Sequence, residues 1–148
     1  MNARAILFAT DFSNSSQAAL EYASSLARDS SARLLIAHVE EPAPAYGAGE
    51  FALPPPSVEA KRELARMLAE VVPTYGDVRY THRLLLGDPA SEIINLAADE
   101  DVDVIVMGTH GRTGLVRLLM GSVAETVVRR AGCPVLTIKQ PQPVVIDS

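Results

Sequence analysis

The stretch Val104-Ile-Val-Met-Gly108, continued by Gly111-Arg112-Thr113-Gly114 and then by Gly121-Ser122, decides how the rest of the chain is read. A short run of β-branched and apolar residues with no polar interruption describes a strand buried on both faces, as in a parallel sheet covered by helices. The run ends in glycines, and at Gly121-Ser122 a helical pattern opens. Ser122 and Glu125 have capping-box spacing, so Ser122 is expected to cap a helix with Val123, Ala124, Val127 and Val128 on its apolar face. Unpaired backbone N–H groups and the positive end of a helix dipole would then lie beside a glycine-lined strand exit. That combination suits a phosphate group. The plainer reading of each glycine is turn geometry or close packing.

The same alternation runs outward in both directions. Ala3 to Ala9 is a first short apolar strand, stopping at Thr10-Asp11-Phe12-Ser13. Asn14 or Ser13 can cap the helix that follows, with Gln17 placed to complete a box with Asn14. Ala18, Ala19, Tyr22, Ala23, Leu26 and Ala27 recur at helical spacing as its apolar stripe. Arg33 to Val39 is a second buried strand, and strand–helix–strand with short connections forces parallel pairing and a right-handed crossover. Ser57 starts a second helix with Ala60, Leu64, Leu68, Val71 and Val72 inward, ended by Pro73 and Gly76. Val78 to Leu86 is a third strand, and its His82 reads as a surface or hydrogen-bonded residue. Asp88-Pro89 is a strong helix start, with Asp88 as cap and Pro89 where a missing N–H costs nothing. Ile93, Ile94, Ala97 and Ala98 form the stripe of that helix. After the glycine segment, Gly132 is expected to stop the last helix, and Val135 to Ile138 is the last strand. Five strands alternating with four helices describe an open parallel α/β sheet with helices on both faces, a single domain over residues 1–139 followed by a tail of residues 140–148.

Residues 40–56 break the pattern with five prolines and two glycines. A connection of this length inside a compact domain is either a surface loop or a functional element. In the second case Tyr46 or Phe51 would touch a ligand beneath it.

At 148 residues the chain suffices for one domain burying roughly 70% of its unfolded surface. Its net charge of −5 argues against a nucleic-acid or anionic-membrane surface. Cys133 is the only cysteine, so no intrachain disulfide forms and a reducing cytoplasm is the natural compartment. Between Gly132 and Pro134 it reads as a packing residue, not a nucleophile. No apolar run approaches the length of a membrane span, and the N-terminal apolar segment is too short for a secretory leader.

The spacing Gly108-x2-Gly111-x9-Gly121-Ser122 resembles the ATP-binding signature of the universal stress protein family. The opening Ile6-Leu-Phe-Ala-Thr-Asp11-Phe-Ser is similar to that family's first strand and its exit, and the resemblance extends from about Ala3 to Lys139. It implies a Rossmann-like sheet of strand order 3-2-1-4-5, in which the exits of strands one and four are neighbours. Ligands of open α/β sheets bind at such reversals of strand order. The resemblance further implies ATP, with Mg²⁺, as the ligand. Asp11 would lie on the sugar side, backbone near Val39 at adenine, and Met107 beside base and sugar. Gly108, Gly111, Gly121, Ser122 and Val123 would hold ribose and phosphates. Arg112, permanently charged, is a further phosphate donor, and His110 a weaker candidate. Mg²⁺ held mainly by phosphate oxygens needs only one nearby carboxylate, which Asp11 supplies. Family members commonly pair through the last strand, so a homodimer is expected. Val135, Leu136 and Ile138 would lie on that open edge, and the tail Val144-Val145-Ile146 is a candidate cover for the partner.

Enzyme readings lack their parts. GxxxxGK[ST] is absent and no GxGxxG follows the first strand. The paired histidines of adenylyl-transferring enzymes are missing, and no Ser/His/Asp set or metal-ligand cluster stands out. Turnover is therefore expected to be slow ATP hydrolysis or autophosphorylation at most, and the function a nucleotide-dependent regulator in stress response. Two alternatives from other classes are a receiver domain phosphorylated on aspartate, for which Asp11 and Lys139 are superficially placed, and an interaction module that binds no nucleotide.

Overall fold

A computed structural model describes residues 3–42, 57–109 and 120–139. Five strands, β1 (Ala5–Ala9), β2 (Arg33–Glu40), β3 (Tyr80–Leu86), β4 (Val104–Gly108) and β5 (Val135–Ile138), alternate with four helices. The helices are α1 (Asn14–Ser30), α2 (Val58–Ala69), α3 (Pro89–Asp99) and α4 (Ser122–Arg130). All strand pairs are parallel, in the order β3-β2-β1-β4-β5. This is the open parallel α/β sheet that the alternation of apolar runs and helical stripes predicts, in the Rossmann-like strand order that the family resemblance implies.

The period-two alternation of side chains divides the core into two layers. Ile6 and Phe8 of β1, Leu34 and Ile36 of β2, and Val104 and Val106 of β4 pack beneath α1 and α2. Leu7, Leu35 and Ile105, each no more than 1% exposed, point the other way, towards α3 and α4. The central strands are therefore apolar on both faces, which is why they read as unbroken hydrophobic runs. Edge strand β3 differs: Tyr80, Leu84 and Leu86 are exposed. His82 is tied down, its ring nitrogen 2.7 Å from the carbonyl of Val71 behind α2.

Several helix details depart from the sequence expectation. Of the two expected cap candidates Ser13 is the one that caps α1, accepting from the Ser16 N–H at 3.3 Å, and the box of Gln17 with Asn14 is the part that does not form. The buried face of α1 is shifted to Leu20, Ala19, Ala23 and Ala27 with Ser15, Ser16 and Ser24, while Tyr22 is 56% exposed. The reason is proximity: α1 packs so close to β4 that small residues are needed there. In α2 only Leu68 is fully buried, and Ala60 and Val72 are exposed, because the helix lies over the edge of the sheet, with only β2 and β3 beneath it. The third strand begins at Tyr80, not Val78. In α3 the buried residues are Ala90, Ile93, Leu96 and Ala97, with Ala98 exposed. Asp88 caps α3 as expected, accepting from the Ser91 N–H at 3.0 Å, with Pro89 first in the helix. Helix α4 ends because Ala131 turns extended (φ −63°, ψ 142°), so Gly132 supplies no left-handed stop.

The loop into β4 is anchored by Asp103, whose carboxylate accepts the N–H groups of Arg4 (2.7 Å) and Ala5 (3.1 Å). Those two bonds, Arg4 first, hold its pKa below the ordinary carboxylate value. Asp88 is lowered too, chiefly by the Ser91 N–H. A carboxylate with a depressed folded-state pKa contributes stability above its unfolded value of about 3.9, and that contribution is lost as pH falls through the folded value. Asp103→Asn should therefore melt below wild type at pH 7, with the gap closing below about pH 4. Melting curves across that range check it; a gap that persists undiminished in acid would place the effect elsewhere.

Candidate nucleotide-binding site

The carboxyl ends of β1, β2 and β4 open into one cleft of about 530 Å³, a size suited to a small ligand. Its position follows from the topology. β1 connects to β2 on one side of it, and the chain then returns across the sheet to place β4 on the other. The helices leave opposite faces there, and the strand ends stay uncovered between them. Register completes the shape. Ala37 pairs with Ala9, and Ala9 with Met107, so an alanine at the end of β1 and another beside it within β2 leave room beneath the cleft. Leu64 of α2 and Pro89 and Ile93 of α3 close its sides.

Residues distant in sequence are brought together here. Asp11, Val39, Met107, Gly108, Gly121, Ser122 and Val123 all line the cleft. Gly111 and Arg112 lie outside the described residues, as do His110, Tyr46, Phe51 and the 140–148 tail. The Asp11 carboxylate is oriented by its own loop, accepting from the Ser13 N–H at 3.0 Å and the Ser16 hydroxyl at 2.8 Å. Phe12 beside it adopts φ +66°, a left-handed conformation that costs a non-glycine residue ~1–3 kcal/mol unless its surroundings enforce it.

The two ends of the glycine segment meet. The Gly121 N–H donates to the Thr109 carbonyl at 2.6 Å, and the Thr109 N–H donates to the Ile138 carbonyl at 3.0 Å. Helix α4 therefore starts directly above the end of β4. Gly121, not Ser122, is its N-cap, and no side chain caps it. Ser122 is already the first helical residue and is exposed, and Glu125 pairs with Arg129 at 2.7 Å in place of reaching back. The first turn of α4 thus presents amides that no capping side chain occupies, beside the cleft. Gly121 itself is extended (φ −70°, ψ 163°), which any residue can adopt, so its backbone makes no demand for glycine.

Gly108 has a packing role as well. A Cβ there would come within 2.9 Å of the Ser15 carbonyl carbon and Cβ, and would overlap the Ser15 hydroxyl. Glycine at this position lets α1 approach β4.

Sequence reasoning did not single out Thr10, Ser16, His38, Glu40 and Thr109, which also line the cleft. His38 carried a signal, being a polar residue inside an otherwise apolar strand. Cys133 is half-buried, and burial followed by the Asp103 charge pushes its thiol pKa up, the opposite of an activated nucleophile. Among the described residues no cluster of three or more His, Cys, Asp or Glu side chains can hold a metal, and no helix is long and apolar enough to cross a membrane. The receiver alternative meets a topological obstacle. A flavodoxin-like sheet of order 2-1-3-4-5 sets its third strand beside the first, whereas here β2 separates β3 from β1.

Comparison with known proteins agrees with this geometry. The sequence model of the universal stress protein family matches residues 2–139. A universal stress protein of Methanocaldococcus jannaschii, MJ0531, is 36% identical over 141 residues, covering 93% of this chain and 82% of that protein. Among solved structures, hypothetical protein MJ0577 superposes with a TM-score of 0.74 at 28% identity, covering 97% of this chain and 100% of the other. A universal stress protein solved in complex with cAMP superposes with a TM-score of 0.63 at 27% identity over 95% and 100% of the two chains. The strand order, the cleft at its reversal and the match over nearly the whole sequence lead to one conclusion: this chain belongs to the universal stress protein family.

Proposed function

We propose that the chain binds ATP in the cleft between β1 and β4 and acts as a nucleotide-dependent regulator in stress response. The observation that carries this reading is the convergence of Asp11, Val39, Met107 and the uncapped first turn of α4 on one cavity. The similar universal stress protein that holds cAMP supports an adenine nucleotide as the ligand class. In this reading backbone at Val39 faces the adenine edge, Asp11 the sugar, and the amides at Ser122 and Val123, with Gly121 leaving room beside them, the phosphates, where the helix dipole favours negative charge. Mg²⁺ would enter with the nucleotide, held mainly by phosphate oxygens with Asp11 as a nearby carboxylate. Turnover, if any, is slow, and the bound state is the signal.

Calorimetry with Mg-ATP and Mg-GTP tests the reading. ATP should bind more tightly, and Asp11→Ala should weaken ATP binding by about tenfold, the worth of one charge-assisted hydrogen bond. His82→Ala, remote from the cleft, should leave affinity unchanged. Equal affinity for the two nucleotides would sink the adenine assignment.

The chain is further proposed to form a homodimer through β5, an edge strand that among the described residues pairs only with β4, with Leu136 40% exposed. Sedimentation equilibrium should give twice the monomer mass at micromolar concentration; a monomer there refutes it.

A further inference from the structure

His38 is a buried titratable side chain at the cleft to which nucleotide binding, as described, assigns no task. It sits in β2 between Ala37 and Val39, only 8% exposed, in a strand whose interior is otherwise apolar. Its Nδ1 lies 2.8 Å from the Thr10 carbonyl oxygen. A carbonyl oxygen only accepts, so Nδ1 carries the hydrogen and donates. The same ring packs against Phe12, centroids 4.5 Å apart and planes at 40°. One imidazole therefore holds both sides of Asp11: the carbonyl of the residue before it and the ring of the residue after it. Phe12 is also the residue in the left-handed conformation, which persists only where surroundings enforce it. The turn is tightened from within by the Phe12 N–H donating to the Thr10 hydroxyl at 3.0 Å. A leucine at this place would fill the volume without the cost of burying a polar ring, but it would give the Thr10 carbonyl no donor.

We propose that His38 is a positioning residue for the nucleotide site, acting through the Thr10–Phe12 turn to hold the Asp11 carboxylate in its binding orientation. This rests on the ATP reading above. The Nδ1–H is the group that matters, and ring packing on Phe12 is its support. Asparagine, whose side-chain N–H falls near the place of Nδ1, should therefore substitute where leucine does not.

The test combines Mg-ATP calorimetry with amide hydrogen exchange of the nucleotide-free protein for wild type, His38→Asn and His38→Leu. His38→Leu should lose about tenfold in affinity, the worth of one neutral hydrogen bond. It should also speed exchange at the Ser13 amide, which is bonded to Asp11. His38→Asn should stay within about threefold of wild type on the same scale. If His38→Leu does not fold, Phe12→Leu removes the ring contact while keeping an apolar side chain against the core, and should shift affinity in the same direction. Wild-type affinity in His38→Leu, or equal losses in His38→Leu and His38→Asn, overturns the positioning role. Wild type that binds no ATP overturns the nucleotide reading itself, a different result.

Discussion

Gly121→Val is expected to abolish ATP binding while the melting curve of the nucleotide-free protein moves little. The geometry separates the two effects. Gly121 is extended, so valine meets no backbone prohibition, and no side-chain cap is lost because none is made. The remaining cost is that valine is a poor N-cap, about 1 kcal/mol at most, or roughly 2–4 °C in melting temperature for a chain of this size. On the ligand side, a branched side chain would stand beside the first turn of α4, where phosphate has to approach backbone amides. Ser122→Ala sharpens the comparison. As Ser122 is exposed and caps nothing, its loss should change stability by no more than about 0.5 kcal/mol, leaving any drop in affinity to the hydroxyl's contact with phosphate. A Gly121→Val protein that binds ATP like wild type would end the case for this segment as the phosphate site.

Gly108→Ala should show the opposite division, a clear loss of stability in the nucleotide-free protein. The added methyl would meet the Ser15 carbonyl carbon and Cβ at 2.9 Å. One of these atoms is backbone, so α1 has to shift as a unit. Overpacking of this kind costs about 1–3 kcal/mol, or roughly 3–10 °C. Ser15→Ala removes the overlapping hydroxyl but leaves both carbons in place, so the double variant should recover little. Thermal melts of the three variants decide it. Wild-type stability in Gly108→Ala would mean that α1 moves away from β4 freely, and that the close approach does not constrain the fold.

These two glycines belong to one motif and do different things, which spacing alone did not distinguish. The sequence marks both as places where a side chain is unwelcome, but it does not say whether the obstacle is a ligand, a dihedral angle or a neighbouring helix. For Gly108 the neighbour is Ser15, 93 positions earlier in the chain, and contacts at such separation leave no local trace. The cap of α4 was misread for a related reason. Ser122-x2-Glu125 is a sound local signal, but the hydrogen bond from Gly121 to Thr109 starts the helix one residue earlier. A tertiary contact overrode the local preference.

By itself the sequence determined the α/β alternation, the burial of the central strands, the Asp88-Pro89 start of α3 and the family. Each is written in short-range patterns: apolar runs, helical stripes, cap residues and a glycine spacing carried within a few tens of residues. Only the tertiary structure decided that His38 reaches Thr10 and Phe12, that α1 turns its serines inward, and that two paired alanines of β1 and β2 leave the floor of the cleft open. Those outcomes depend on sheet register and on which helix crosses which strand. Both are set by packing the whole core at once, so no single stretch of the chain contains them.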